Sequence, residues 1–461
     1  MKKIFQLTSF MILGALLTFS SQAQKVTPPT GGMPHDFKLS EKKIATLPNG
    51  MKTTLVKYGS LPKASIALIV RTGNMHDPSG KNGMADFTGK LIKEGTKALD
   101  FKSISAKAAS MGGEVSLSVS MEQVMLSGSV LSEFAPEFIR LIGEMVMNPA
   151  LPESQSARIK DDMLRDLSVN MTVPQNQAEE KFSKLIYGSH PYGAGMPTEA
   201  QVKAFTIADA RSFHQANFGA KRSIIYVVGQ FDEKAVNTAI ASGLAKWKSG
   251  PALSYPTVTA KYSRDTAIID RKGAPQTTIQ IGGPVNGPTE KDYVAQSITN
   301  SLLGGSFGSR ITSNIRENKG YTYSPYSYVQ SRKGASFWAE SADVTSEHTI
   351  ESIQEIVKEI KKLQSTPPEK EELQSIQNYE SGIFVLRNTD PFGIINQLSM
   401  LDKYGLPDSY LTNYVKSIYD VTPQQVSQIA KERLKTENMS LVLVGDRQQI
   451  LEQAKKFDWK F

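Results

Sequence analysis

Residues 205–229 read FTIADARSFHQANFGAKRSIIYVVG, and residues 421–445 read VTPQQVSQIAKERLKTENMSLVLVG. In each, a threonine opens a helical run that ends in a short apolar strand closed by glycine. Thr206 to Gly229 and Thr422 to Gly445 are both 23 residues. Working outward, Gly59-Ser-Leu-Pro62 before an alternating strand matches Lys272-Gly-Ala-Pro275. Between these, Val130-Leu-Ser-Glu133 before an amphipathic run matches Val344-Thr-Ser-Glu347. The three offsets are 216, 213 and 214 residues, in one order along the chain. A unit of that length far exceeds a solenoid repeat of about 20–50 residues, so this is domain duplication.

Each half opens on alternating strands, 51–58 and 64–71 in the first and 266–270 and 277–282 in the second. Helical segments follow, and a last strand (224–229, 441–445) closes each copy. Strands and helices mix without regular βαβ alternation. The expected fold is therefore α+β: two duplicated domains, each a mostly antiparallel sheet packed against helices, forming a clamshell around a cleft. Boundaries are expected at 40–248 and 263–461, joined by a linker over 249–262 where Gly250, Pro251 and Pro256 break the periodicity.

The 461 residues contain no cysteine, which excludes a disulfide, a thiolate metal site and a cysteine nucleophile. Lys and Arg number 53 against 45 Asp and Glu, a net charge of +8, spread without a basic run. That pattern reads as a solvated surface and argues against nucleic-acid binding. At the start, Lys2 and Lys3 precede an apolar stretch over 10–19 and then Ser21-Gln22-Ala23. This is the layout of a secretory signal peptide over 1–23, with a Pro- and Gly-rich flexible lead-in over 24–39. The apolar stretch is too short to span a bilayer, which takes about 20 residues. Export is expected, with the periplasm of a Gram-negative bacterium as the destination.

Residues 71–97 read RTGNMHDPSGKNGMADFTGKLIKEGTK. With the duplicated layout, this stretch resembles the insulinase/pitrilysin and mitochondrial-processing-peptidase zinc proteases. In that family an H-x-x-E-H helix lies between a Gly-containing turn and a Gly-Thr. The frame is present as Gly83-Met84-Ala85 and Gly95-Thr96, but the five motif positions hold Asp86-Phe87-Thr88-Gly89-Lys90. Protonated lysine has no lone pair for zinc, and glycine has no side chain to take a proton. Asp86 and Lys90, one helical turn apart, are expected to form an ion pair in place of the metal. The family's third ligand, a Glu, falls near 164–167, where Asp166 is the nearest carboxylate. No metal is expected in this chain. The five histidines (His35, His76, His190, His214, His348) show no metal-ligand spacing, and a G-x-S-x-G elbow is absent.

Residues 302–328 read LLGGSFGSRITSNIRENKGYTYSPYSY. The run Gly304–Ser309 lacks the Lys-Ser/Thr ending of a phosphate-binding loop and reads as close backbone packing before a helix. The whole stretch is similar to the family's C-terminal-half signature of a glycine-rich loop, Ser-Arg, a helix and Arg-Glu-x-x-Gly-x-x-Tyr. The resemblance assigns Arg316 and Tyr323 to substrate binding, where donors stabilise the carbonyl oxygen at a zinc. Without it, Arg316 would cap its helix or pair with Glu317 or Glu340, and Tyr323 would be a strand residue packed in the core.

One half of the apparatus is lost and the other kept. The resemblance implies a chain that is not an enzyme by itself. It would be the substrate-binding subunit of a heterodimeric zinc peptidase whose paralogous H-x-x-E-H-bearing partner carries the zinc and whose substrate is an unfolded peptide. The other reading is a structural subunit of an envelope complex with no part in proteolysis.

Overall fold

The computed structural model describes residues 37–458. The expected leader over 1–23 and most of the lead-in lie outside them. Six strands form the first sheet: β1 (Lys42–Thr46), β2 (Lys52–Lys57), β3 (Lys63–Val70), β4 (Ser116–Val119), β5 (Val124–Leu131) and β6 (Ser223–Gly229), in the order β1-β2-β6-β3-β5-β4. Five form the second: β7 (Thr266–Asp270), β8 (Gln276–Val285), β9 (Tyr326–Arg332), β10 (Ala335–Thr345) and β11 (Ser440–Gly445), in the order β7-β11-β8-β10-β9. Without β1, the two orders superpose strand for strand. β6 runs parallel to β2 and β11 parallel to β7, while the other pairs are antiparallel. The fold is α+β and duplicated, as the sequence implied.

The repeated threonine marks the same event twice. Thr206 and Thr422 each accept from the backbone N–H three residues on, while Asp209 and Gln425 reach back to the cap N–H. Such reciprocal caps satisfy donors that the first helical turn leaves free.

Seven helices cover these sheets or frame the clefts: α1 (Met84–Lys93), α2 (Ala135–Met147), α3 (Glu153–Thr172), α4 (Pro174–Tyr187), α5 (Thr349–Ser365), α6 (Lys370–Arg387) and α7 (Pro391–Tyr404). One face of the first sheet (Ile66, Leu68, Val70, Leu126) packs on its own α1 and α2. Its other face (Ala67, Ile69, Ile224, Tyr226) packs on Phe384 of α6 and on Ile394, Ile395, Leu398 and Leu401 of α7, from the second half. The second sheet is covered the same way. Ile279, Ile281, Trp338 and Leu443 meet α5. Phe337, Ala339, Val442 and Val444 meet Ala178, Phe182 and Ile186 of α4, from the first half. Each half thus lends a helix to the other, and strands such as β3 and β11 are buried on both faces, as in sheets covered by helices on two sides.

Polar groups fasten this exchange. Glu122, after β4, is buried; it accepts from Tyr192 Oη at 2.6 Å and Lys333 N at 2.8 Å and pairs with Lys403 at the end of α7. Burial alone would raise the Glu122 carboxyl, but the Lys403 ammonium and these donors hold it below the ordinary value. Arg71 donates to Gln123 Oε1 at 2.6 Å and to the Ser399 carbonyl at 2.8 Å, and Tyr226 Oη bonds Asp402. Removing one member of a buried pair strands the other charge at about 3–5 kcal/mol. Lys403→Ala is therefore expected to lower unfolding free energy by about that much, read from urea denaturation.

Glu340 on β10 is the exception to this pairing. It is 0% exposed, and neither carboxylate oxygen has a partner among the described residues. Burial raises its pKa well above the ordinary value, so the fold favours the neutral acid. Its contribution is most favourable below the ordinary glutamate range and declines as pH rises toward its folded value. Glu340→Gln is expected to be more stable than the parent at pH 7.5, with the difference narrowing near pH 4. Parallel unfolding curves at the two pH values would refute it.

Candidate functional site

The first cleft lies around α1. Gly83, at φ 85°, starts the helix with left-handed backbone, which favours glycine. The Asp77 carboxylate accepts from Gly83 N at 2.7 Å and Ala85 N at 2.8 Å, capping the first turn. Burial pushes Asp77 up to about 7 against the pull of those N–H groups.

The degenerate motif residues do not form the pair expected from their spacing. Asp86 points inward, accepts from Asn74 Nδ2 at 2.8 Å and is raised by burial. Lys90 swings out and bonds Asp166 of α3 at 3.3 Å. The reason is depth: Asp86 is largely buried with a neutral donor in reach, whereas the long lysine stem delivers its charge to a solvated carboxylate. Gly89 is buried against the terminal strand β4. A Cβ there would lie 2.6 Å from Val119 Cγ2 and 3.1 Å from Leu117 Cδ2. Apolar side chains therefore occupy the space into which any larger residue at 89 would extend.

Zinc fits this cleft poorly. Asp86 and Asp166 are engaged by Asn74 and Lys90, and imidazole is lacking at the motif positions. Among the described residues, no group of three or more His, Cys, Asp or Glu side chains is placed to hold a metal ion. The described histidines serve structure. His76 bonds the Ser254 carbonyl, His190 the Pro256 carbonyl, His214 the Val146 carbonyl, and His348 the Glu351 carboxylate. His35 lies outside the described residues.

The second cleft is built by 301–326. The glycine run that reads as a loop is wound, in its first part, into a π-helical turn, Ser301–Gly305, and a second π-turn, Ser313–Asn318, carries Arg316. Such turns concentrate at functional sites because they re-aim side chains. Gly304 is required by close packing: a Cβ would sit 2.4 Å from Glu340 Oε2 and 2.6 Å from Ser327 Oγ. Arg310 forms a two-pronged pair with Glu372, both contacts 2.7 Å, and Asn314 donates to Glu355 at 2.9 Å and Glu359 at 2.7 Å. These bonds anchor the segment on α5 and α6.

Arg316 is partly buried, its side chain 22% exposed, and borders a cavity. Its guanidinium carbon lies 4.2 Å from the Phe307 ring centre and 5.1 Å from that of Tyr323, and Nε is 3.3 Å from Glu317 Oε1. Stacking on two rings holds the fork flat while leaving its donors available. Thr322 Oγ1 donates to the Asp343 carbonyl at 2.7 Å, which pins the backbone, and Tyr323 beyond it is 80% exposed. A cavity of about 340 Å³ opens between Arg316, Phe307, Tyr323 and Tyr326. Of the local pairings open to Arg316, the structure takes Glu317; Tyr323 is far from any core. Phe307 was not legible as a site residue, because a glycine-flanked aromatic carries no sign of which cation it will meet.

Two family models match the chain: insulinase (peptidase family M16) over residues 54–197, and the peptidase M16 inactive domain over residues 204–379. Together they cover more than two thirds of it. Among curated proteins, the uncharacterized zinc protease Rv2782c of Mycobacterium tuberculosis is 24% identical over 287 residues, 61% of this chain and 65% of the relative. YmxG of Bacillus subtilis, an uncharacterized zinc protease, is 24% identical over 296 residues, 62% and 69% of the two chains. The match thus spans about two thirds of these relatives' length.

Solved structures agree in fold. The peptidase M16 inactive domain from Pseudomonas fluorescens superposes with a TM-score of 0.82 at 24% identity, covering 88% of this chain and 98% of the other. A protease from Helicobacter pylori gives 0.82 at 19% identity, over 88% and 100%. The periplasmic protease PqqL of Escherichia coli gives 0.77 at 17%, over 91% of this chain and 47% of that one. The two matched models, the duplicated sheets and the shared fold lead to one conclusion: the chain belongs to the insulinase (peptidase M16) family.

Proposed function

We propose that this protein is an exported, non-catalytic subunit that holds peptide for a zinc peptidase partner of the same family. The observation that carries the reading is a contrast within one chain. The partly buried Arg316 lies between the rings of Phe307 and an exposed Tyr323 and borders a cavity, while the α1 positions are occupied by Asp86, Gly89 and Lys90. Zinc in the partner would supply Lewis acidity and a nucleophilic water. This chain's part is hydrogen bonding: the Arg316 guanidinium and the Tyr323 phenol donate to the peptide carbonyl oxygen as it gains negative charge. Phe307 and Tyr323 hold the guanidinium in place, so little entropy is lost when peptide arrives. Export to the periplasm accords with the leader-like start. Among the described residues, no helix is long and apolar enough to cross a membrane.

Co-expression with an H-x-x-E-H-bearing paralogue and a quenched fluorescent peptide tests the reading. Cleavage should need both chains. Arg316→Ala and Tyr323→Phe should each cut kcat/KM by about 10²–10³, the usual effect of deleting one oxyanion donor. Turnover unchanged in both variants would sink the proposal and favour a scaffold role. Elemental analysis of the isolated chain should find no stoichiometric zinc. One zinc per chain, removable by a chelator along with peptidase activity, would overturn the assignment of the metal to the partner.

A further inference from the structure

A cavity of about 570 Å³ lies between β9, the terminal strand of the second sheet, and helices α6 and α7. It is distinct from the Arg316 cavity, although Gly305 borders both. Helix α6 gives it Glu380, Ile383, Phe384 and Arg387. Spacings of three, four and seven put these on one helix face. The two residues stand at opposite ends of that face, their backbones about 10.5 Å apart along the helix axis at 1.5 Å per residue. Glu380 accepts from Ser301 Oγ, and the exposed Arg387 guanidinium has no ion-pair partner among the described residues.

The far wall is aromatic. Tyr404, Tyr410 and Tyr414 line it, and Tyr404 is only 9% exposed. Rings of Tyr410 and Tyr414 lie 5.8 Å apart, and Phe384 meets Tyr414 at 4.7 Å. None of these three tyrosine hydroxyls makes a hydrogen bond among the described residues, nor does the side-chain amide of Gln397. The buried Tyr192 and Tyr226 find partners in Glu122 and Asp402, whereas the buried hydroxyls of Tyr187 and Tyr255 find none. Hydrogen-bonding groups converging on a concave space without protein partners are the usual mark of a ligand site.

The geometry points to a non-catalytic site for a short zwitterionic peptide. Its ammonium would meet Glu380 and its terminal carboxylate the Arg387 fork. Its backbone groups would take the tyrosine hydroxyls, and an apolar or aromatic side chain the rings of Tyr410 and Tyr414. At about 3.3–3.6 Å per residue, three extended residues match the axial separation of Glu380 and Arg387 along α6. The cavity that would hold the fragment shares Gly305 with the Arg316 cavity. The inference requires only this chain and stands whether or not a zinc-bearing partner exists.

Calorimetric titration of the isolated full chain with the free tripeptide Ala-Phe-Ala provides the test. The free peptide is expected to bind, and N-acetylated and C-amidated forms to bind at least ten-fold more weakly. Arg387→Ala should weaken the free peptide by a similar factor and abolish discrimination against the amide. Tyr414→Phe should weaken binding several-fold at unchanged melting temperature, because that hydroxyl bonds nothing in the free protein. No heat at millimolar peptide, or equal binding of the capped and free forms, overturns the proposal.

Discussion

A sheet whose two faces are both apolar must be covered twice, and in this protein neither half has helices placed to cover both of its own. β3 runs Lys63-Ala-Ser-Ile-Ala-Leu-Ile-Val70, with alternate residues entering different cores. One core is completed by α1 and α2, the other by α6 and α7 from the second half. The reverse loan, α4 onto the second sheet, is equally needed. Apolar burial at roughly 25 cal/mol per Å² is non-directional. The relative placement of the halves is fixed by the polar fasteners set into the exchange: Glu122 with Lys403, Arg71 with Ser399, and Tyr226 with Asp402.

That placement decides what each half can do chemically. In the first half, Asp86, Gly89 and Lys90 border open cavities, and Gly89 lets Val119 and Leu117 of β4 come close to α1. In the second, packing holds a surface open. Arg310, Asn314 and Thr322 carry the bonds that anchor the segment, which frees Arg316 and Tyr323 from structural duty. Glycine allows a close approach in both places. At 89 it admits the side chains of Val119 and Leu117 close to α1, and at 304 it admits the buried Glu340 carboxyl beneath the Arg316 cavity.

The sequence made some of this legible and hid the rest for identifiable reasons. Duplication could be read because cap, helix and terminal strand are local patterns, and the Thr206 and Thr422 capping boxes are local chemistry. Arg316 and Tyr323 stood out through fixed spacing in a recognisable signature. The Asp86–Lys90 pair was a fair reading of i,i+4 geometry, yet it ignored depth: Asn74 and Asp166, distant in sequence, compete for the two charges and win. The glycine run read as close backbone packing before a helix, and Gly304 and Gly305 are so packed; composition did not reveal that its first two residues end a π-turn.

By itself the sequence determined the two-fold repeat, the α+β class, two opening strands and one closing strand in each half, and the residue types at each motif position. These depend on periodicity, capping and identity, which act over a few residues. Only the tertiary structure decided which helix covers which sheet, where Lys90 sends its charge, what fills the space beside Gly89, and that α6, α7 and β9 enclose a tyrosine-walled cavity. All of these are meetings of residues tens to hundreds of positions apart. Their outcome is set by competition among partners for burial and hydrogen bonds, and no local pattern encodes that competition.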